Sequence, residues 1–336
     1  MKKRLFIILL ILILALLPFA LTACIAKQRE AGLVSPPAPL TALVLGTDDA
    51  AQNTDVILVL HYQVADNTLS VMQIPRDTYL ESGLGTPKIN HIFPALLAKG
   101  NSERAALAET ADILSDALGI NFDAAIALRP QALAHLVDEI GGVPINLPMP
   151  LTYDDPDAGL SIRLPAGEQI LDGEAAVHFV RYRSGYLEGD LGRVDAQKIF
   201  LAALIHRVQE SMDISHMLSL LFRPPQGITL LADKLHLVGV AKHFYQNKSV
   251  LRAIYFSLPG EAVQIDSGAW YYAINRTASA KLIEEHFSLS SPKLFDPARR
   301  FCGQTIQFEN IYFAAEYPYR VFTADEIQDI IIKKRE

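Results

Sequence analysis

Between Val180 and Gln197 the chain reads VRYRSGYLEGDLGRVDAQ. Arg181, Arg183 and Arg193 gather there in a protein whose net charge is −7. Guanidinium groups keep their charge and present planar, two-point donors that match phosphate oxygens. Glu188, Asp190 and Asp195 lie among them, so internally balanced surface arginines are the competing reading. A helix opening near Leu191 would set Arg193 and Gln197 four residues apart on one face, close to a positive helix end. GTDDAAQNTDVIL (46–58) places Asp48 at the end of one apolar run and Asp55 at the start of the next. Carboxylates on adjacent strand ends meet, because paired strands lie about 5 Å apart. Two of them suit a hard cation, Mg²⁺ or Mn²⁺ in its place, which fills its sphere with water and phosphate oxygens. Turn formation by Asp48, Asp49 and Asn53 explains the same residues without a metal.

IPRDT (74–78) carries Arg76 and Asp77 beyond another apolar run, and KIN (88–90) adds Lys88 and Asn90. Ligands of open α/β sheets bind beyond strand carboxyl ends. A weak surface Arg–Asp pair and a solvated loop are the plain alternatives. Together these stretches describe an anion-plus-metal site for a di- or polyphosphate. Rossmann and P-loop patterns are absent, as are HExxH and GxSxG. An acidic chain directed outside the cell excludes nucleic acid as the expected partner.

The elements that must position these residues are legible in part. TALVLG (41–46), DVILVLHY (55–62) and TLSVMQI (68–74) read as strands, with a hairpin turn at Ala65-Asp66-Asn67. Runs this apolar suggest a sheet covered by helices. Residues 94–118 read as helix broken near Gly100-Asn101-Ser102, with Gly119 as C-cap. FDAAIALR (122–129) reads as a strand and Pro130–Ile140 as a helix stopped by Gly141-Gly142. Asp172 is a candidate N-cap for a helix from Gly173 to about Val180, and 191–210 reads as helix. SLPGEAVQIDSGAWYYAIN suggests a hairpin or edge strands, 277–287 a helix, TIQFENIYFA (305–314) a strand, and Thr323-Ala324-Asp325-Glu326 the start of a last helix. The alternation predicts an α/β, three-layer α-β-α domain.

The N-terminus reads as a membrane tether. MKKR precedes an uncharged run from Leu5 to Leu21, which predicts an outward-facing remainder, extracytoplasmic at the cell membrane. Leu21-Thr22-Ala23-Cys24 resembles a lipoprotein box with Cys24 as the lipidated residue; an uncleaved signal anchor accounts for residues 1–24 equally well. Cys24 and Cys302 form no disulfide framework. Residues 25–40 read as a Pro-rich linker and leave ample chain for one large domain.

LVLGTD, NTDVILV, QIPRDTYL, KIN, IGGVPI, LPAGEQILDGEAAVHFVRYR and GDLGRVDAQ occur in the order found in the LytR-CpsA-Psr family of bacterial cell-envelope proteins, which this chain resembles over roughly 41–288. SLPGEAVQIDSGAWYYAI resembles that family's C-terminal end, and 289–336 is left as an extension. The resemblance implies a central mixed sheet flanked by helices, with a long apolar pocket for a polyprenyl tail. It implies an enzyme that moves a glycopolymer, such as a teichoic acid, from an undecaprenyl-pyrophosphate carrier to peptidoglycan. Asp48 and Asp55 then resemble the Mg²⁺-binding aspartates. Arg76, Arg181, Arg183 and Arg193, with Lys88 and Gln197, resemble the pyrophosphate-contacting set, supported by Asp77, Asn90 and Asp190. Asn53 stands where the family usually has arginine. The helices at 94–118 and 191–210 are the expected walls of the tail channel. Non-catalytic binding of polyprenyl pyrophosphate and hydrolysis of the same carrier are the alternatives.

Overall fold

The computed structural model describes residues 36–147, 149–155, 160–182, 190–264, 267–289 and 322–323; for 190–195 and the strand residues 155, 160, 322 and 323 it describes the backbone alone. The stretch TIQFENIYFA, the helix expected after 323, Cys24 and Arg183 fall outside these residues.

Three strands open the domain: β1 (Leu40–Thr47), β2 (Thr54–Gln63) and β3 (Thr68–Gln73). β1 and β2 pair antiparallel, as do β2 and β3. Asn67, at φ +55°, makes the second turn in a conformation that asparagine tolerates better than most residues. Two helices follow, α1 (Ile92–Ala98) and α2 (Glu103–Leu118). Ser102 separates them and accepts from Ala105 N (3.2 Å) as the N-cap of α2. Gly119, at φ +68°, ends α2 in the left-handed conformation.

β4 (Ala124–Leu128) returns to lie parallel to β1, and α3 (Pro130–Glu139) leaves it with proline in the first turn. Small antiparallel ribbons follow, β5 (Val143–Leu147) with β8 (Gly167–Leu171) and β6 (Leu151–Asp155) with β7 (Leu160–Leu164). Helix α4 (Gly173–Arg181) is capped by Asp172, which accepts from Ala175 N at 2.9 Å. Next come α5 (Asp190–Ser211), α6 (Ile214–Phe222), β9 (Ile228–Ala232), α7 (Lys234–Asn247) and β10 (Arg252–Ser257). A hairpin of β11 (Gly260–Gln264) and β12 (Trp270–Ile274), helix α8 (Arg276–Phe287) and β13 (Phe322–Thr323) complete the described elements.

The main sheet has the order β13-β10-β3-β2-β1-β4-β9. Two of its pairings, β1 with β4 and β3 with β10, are parallel and the rest antiparallel. The alternation of elements predicted an α/β domain, and the mixed sheet with flanking helices is the one that the family resemblance implied. Its two faces follow from the period-two alternation of side chains along a strand. Leu43, Leu45, Ile57, Val59 and Met72 point to one face and are buried with Phe93 and Leu96 of α1, Leu107 and Leu114 of α2, and Ile283 and Phe287 of α8. Val71 and Tyr255 point to the other, where Ala202 of α5 packs with them.

That alternation corrects one expectation. The helices at 94–118 belong to the closed core on the first face, so they do not wall a channel. Helix α5 lies on the opposite face, where the cavity is.

Candidate active site

A cavity of about 400 Å³ opens between the second sheet face and helices α4 and α5. Its floor is Val44, Val56, Leu58, Leu60 and Val71; Val177, Val180, Phe200, Leu201 and Leu204 form the opposite wall. Asp48, Asp55, Arg129 and Arg181 also line it. A pocket of this size, apolar within and carrying a few charges, is the usual form of a small-ligand site.

Asp48 and Asp55 flank the connection between β1 and β2, where Thr47 pairs with Thr54 across a β-bulge. The loop between them folds on Asp48. Its Oδ1 accepts from Gln52 N (2.7 Å), its Oδ2 from Asn53 Nδ2 (3.0 Å), and its backbone N donates to Asn53 O (3.1 Å). Asn53 therefore orients Asp48 rather than facing outward. Asp55 accepts from Arg76 Nη1 at 2.6 Å.

The IPRDT loop is latched from below. Thr78 N (3.0 Å) and Thr78 Oγ1 (2.6 Å) donate to Pro75 O, Asn90 N donates to Arg76 O (3.2 Å), and Ile89 N donates to Thr78 O (3.0 Å). Tyr272 N on β12 donates to Asp77 O at 2.8 Å. Lys88 Nζ donates to Asp77 Oδ1 (2.8 Å), and Arg76 Nε lies 3.6 Å from Asp77 Oδ2. Lys88, Asn90 and Asp77 thus form a charged support under Arg76, and none of them lines the cavity itself. Asn90 Oδ1 is buried without a hydrogen-bond partner.

Arg181 ends α4, and its Nη1 reaches Asp49 Oδ2 at 3.3 Å. Gln197, buried on α5, accepts from Gln73 Nε2 (2.8 Å) and donates to Val180 O (3.2 Å). It ties β3, α4 and α5 together at the cavity wall. The structure thus places Asp48, Asp55, Arg181 and Gln197 in the lining of one cavity, with Arg76 joined to it through its bond to Asp55. Asp190 and Arg193 fall on the first turn of α5, of which only the backbone is described, and Arg183 lies outside the described residues.

Three participants carry no motif, Glu103, Arg129 and Gln131, and a fourth, Asp49, reads in the sequence only as a turn former. Gln131 Nε2 donates to Asp49 Oδ1 at 2.5 Å. Glu103 bonds Arg129, and that bond is the main cause holding its carboxyl below the usual range. Arg129 directly follows β4, a strand-end position that the ligand rule for α/β sheets could have flagged.

Among the described residues no group of three or more His, Cys, Asp and Glu side chains could hold a metal. Asp48 and Asp55 both line the cavity, and one or two carboxylates are the ligands Mg²⁺ commonly takes, with water and phosphate oxygens completing its shell.

Fold and site together define an α/β protein with an apolar cavity rimmed by carboxylates and guanidinium groups. The chain belongs to the LytR_cpsA_psr family, whose model matches residues 22–288. Cell wall biosynthesis protein LcpA of Corynebacterium glutamicum is 29% identical over 210 residues, covering 57% of this chain and 38% of that protein. The polyisoprenyl-teichoic acid–peptidoglycan teichoic acid transferase TagV of Bacillus subtilis is 27% identical over 183 residues, 53% of this chain and 46% of that protein. The chain thus spans about half or less of the length of these relatives. The crystal structure of B. subtilis TagV superposes with a TM-score of 0.61 at 22% identity, covering 76% of this chain and 100% of that one, which bears on the fold.

Proposed function

We propose that this protein is a Mg²⁺-dependent phosphotransferase that moves a glycopolymer from an undecaprenyl-pyrophosphate carrier to peptidoglycan, on the outer face of the cell membrane. One observation carries the reading: the apolar cavity shares its lining with Asp48, Asp55 and Arg181. That is the complement of a ligand with a hydrocarbon tail and a polyanionic head. Family membership and the transferase activity named for the TagV relative point the same way.

In this mechanism the polyprenyl tail lies against Val71, Leu58 and Leu201. Arg76 and Arg181, with Arg183 and Arg193, hold the diphosphate oxygens. Asp48 and Asp55 would hold Mg²⁺, which would supply positive charge to offset that developing on the departing phosphate. A sugar hydroxyl of the acceptor attacks the sugar-proximal phosphorus. The new P–O bond forms as the bond to the bridging oxygen breaks, and polyprenyl phosphate leaves. The hydroxyl proton passes to a carboxylate, Asp77 or Asp190. Catalysis of this kind rests on positioning and electrostatics, with little covalent work by the protein.

The test is product analysis. Full-length protein in detergent is incubated with Mg²⁺, a lipid-linked glycan and peptidoglycan. Glycan covalently joined to peptidoglycan, lost on chelation of the metal, is the expected outcome. Free sugar phosphate would make the protein a hydrolase, and unchanged donor that is nevertheless bound would make it a carrier-binding protein.

A further inference from the structure

Arg129 stands where β4 passes into α3, and its backbone and stem are fixed. Its N donates to Gly227 O (2.9 Å), and its carbonyl accepts from Ala132 N (3.0 Å) and Leu133 N (3.2 Å). Gly227, at φ +89°, lies against the stem: a Cβ there would sit 3.3 Å from Arg129 Cβ and 3.7 Å from its Cδ.

The guanidinium is clamped on one edge. Nε (3.2 Å) and Nη2 both donate to Glu103 Oε1. The other Glu103 oxygen accepts from Thr229 Oγ1 at 2.9 Å, so the clamp is itself anchored on β9. Among the described residues Nη1 reaches only Asp49 O, at 3.5 Å, the long limit of a hydrogen bond. A structural ion pair would be complete with Glu103 alone. What remains is a fixed cation that lines the same apolar cavity as Asp48 and Arg181, meets Arg181 at Asp49, and has one donor poorly used. Guanidinium donors that need no reorganisation are what a phosphate oxygen rewards most.

We propose that Arg129 contacts the diphosphate of the lipid carrier, and that Glu103 is its positioning residue. This rests on the diphosphate reading of the cavity and adds to it a cation that enters from β4, on the side of the mouth where Asn53 is committed to Asp48. Arg129 supplies the second grip on the diphosphate, so its effect concentrates on ligands with two phosphates.

The experiment measures binding of farnesyl diphosphate and farnesyl monophosphate to the full-length protein in detergent with Mg²⁺. Arg129→Gln should weaken the diphosphate at least ten-fold and the monophosphate by three-fold or less. Arg129→Lys, which keeps the charge and most of the stem, should lose part of the same discrimination, and guards against a folding defect in the first variant. Glu103→Gln should narrow the diphosphate-to-monophosphate ratio while leaving monophosphate affinity unchanged. A purely structural pair predicts a lower melting temperature and equal losses for both ligands. Equal losses, or wild-type affinity in both Arg129 variants, would overturn the proposal while the diphosphate site stands. A wild-type protein that binds neither ligand would overturn the site reading together with this one.

Discussion

Val71→Phe tests whether the cavity is a hydrocarbon site. Val71 sits in the middle of β3 on the cavity face, 2% exposed, beside Leu58 and Leu60. Phenylalanine adds about four carbons on the face of the strand that lines the roughly 400 Å³ opening. They would displace nearly one isoprenoid unit of a bound tail. At ~0.8 kcal/mol per buried methylene, one unit of five carbons contributes ~4 kcal/mol when fully buried. Retraction of the tail and partial contact with the new ring recover some of that, which leaves about 2 kcal/mol, roughly a 30-fold loss in affinity. Because Val71 also packs against Ala202 and Tyr255, the fold itself should lose about 1–3 kcal/mol to overpacking, which a melting curve of the variant reads separately from binding. The assay is titration calorimetry with farnesyl diphosphate and with inorganic pyrophosphate on the same folded variant. The expected result is a loss confined to the farnesyl ligand. Equal weakening of both would mean that the strand had moved and disturbed the polar rim. No weakening of either would show that the tail lies elsewhere, and the function inferred from this cavity would fail with it.

Three further outcomes follow from the same structure. Asp49 occupies Arg181 and Gln131 with its own carboxylate, so Asp49→Asn should tighten pyrophosphate binding about two- to five-fold, the scale of a partly exposed ion pair; weaker binding would mean that Asp49 helps to hold the ligand. Gly173 approaches α3 so closely that a Cβ would lie 2.2 Å from Ala134 O, and its N donates to Asp138 Oδ1 at 2.7 Å. Gly173→Ala should therefore destabilise the protein by about 2 kcal/mol or more in denaturant titration, whereas an unchanged midpoint would show that α3 and α4 can separate without cost. His61, held by Thr41 Oγ1 and stacked on Phe287, and His286, against Phe256, both have pKa values lowered, chiefly by burial. Asp123 and Asp66 oppose the shift at His61; at His286, Glu285 opposes it and Arg252 adds to it. The native state then binds fewer protons than the unfolded chain, so stability is full above about pH 6.5 and falls as pH drops below it. The slope is at most about 1.4 kcal/mol per pH unit per histidine, and His61→Phe should flatten this acid limb in melting curves taken from pH 7 to 5.

Local signals made the first half of the domain legible. Asn67 marks a hairpin, Gly100-Asn101-Ser102 breaks a helix, Gly119 ends one and Asp172 begins another; each acts on the chain next to it, so the sequence alone displays it. Between 211 and 257 those signals fade. Ile214–Phe222 has no fully buried residue, and Ile228–Ala232 is half-buried at every position, so neither helical nor alternating periodicity stands out. Arg252–Ser257 is a short apolar run buried at four successive positions, a pattern shared by strands and buried helix segments.

The site divides along the same line. Asp48, Asp55, Arg76 and Arg181 sit in motifs whose spacing is local. Arg129 and Glu103 enter through topology, because β4 lies parallel beside β1 with Gly46 opposite Leu128. That register decides what the next residue can do. Ala125 and Ala127 turn to the closed face behind the sheet, and Leu128 turns to the cavity. Slipping β4 by one residue against β1 would exchange these faces, bury a leucine among the helices behind the sheet and carry Arg129 away from Glu103. Packing on the far face therefore enforces the placement of a cation at the mouth. A pairing between strands some eighty residues apart leaves no mark on the residues themselves, so Arg129 reads in the sequence only as the end of an unremarkable strand.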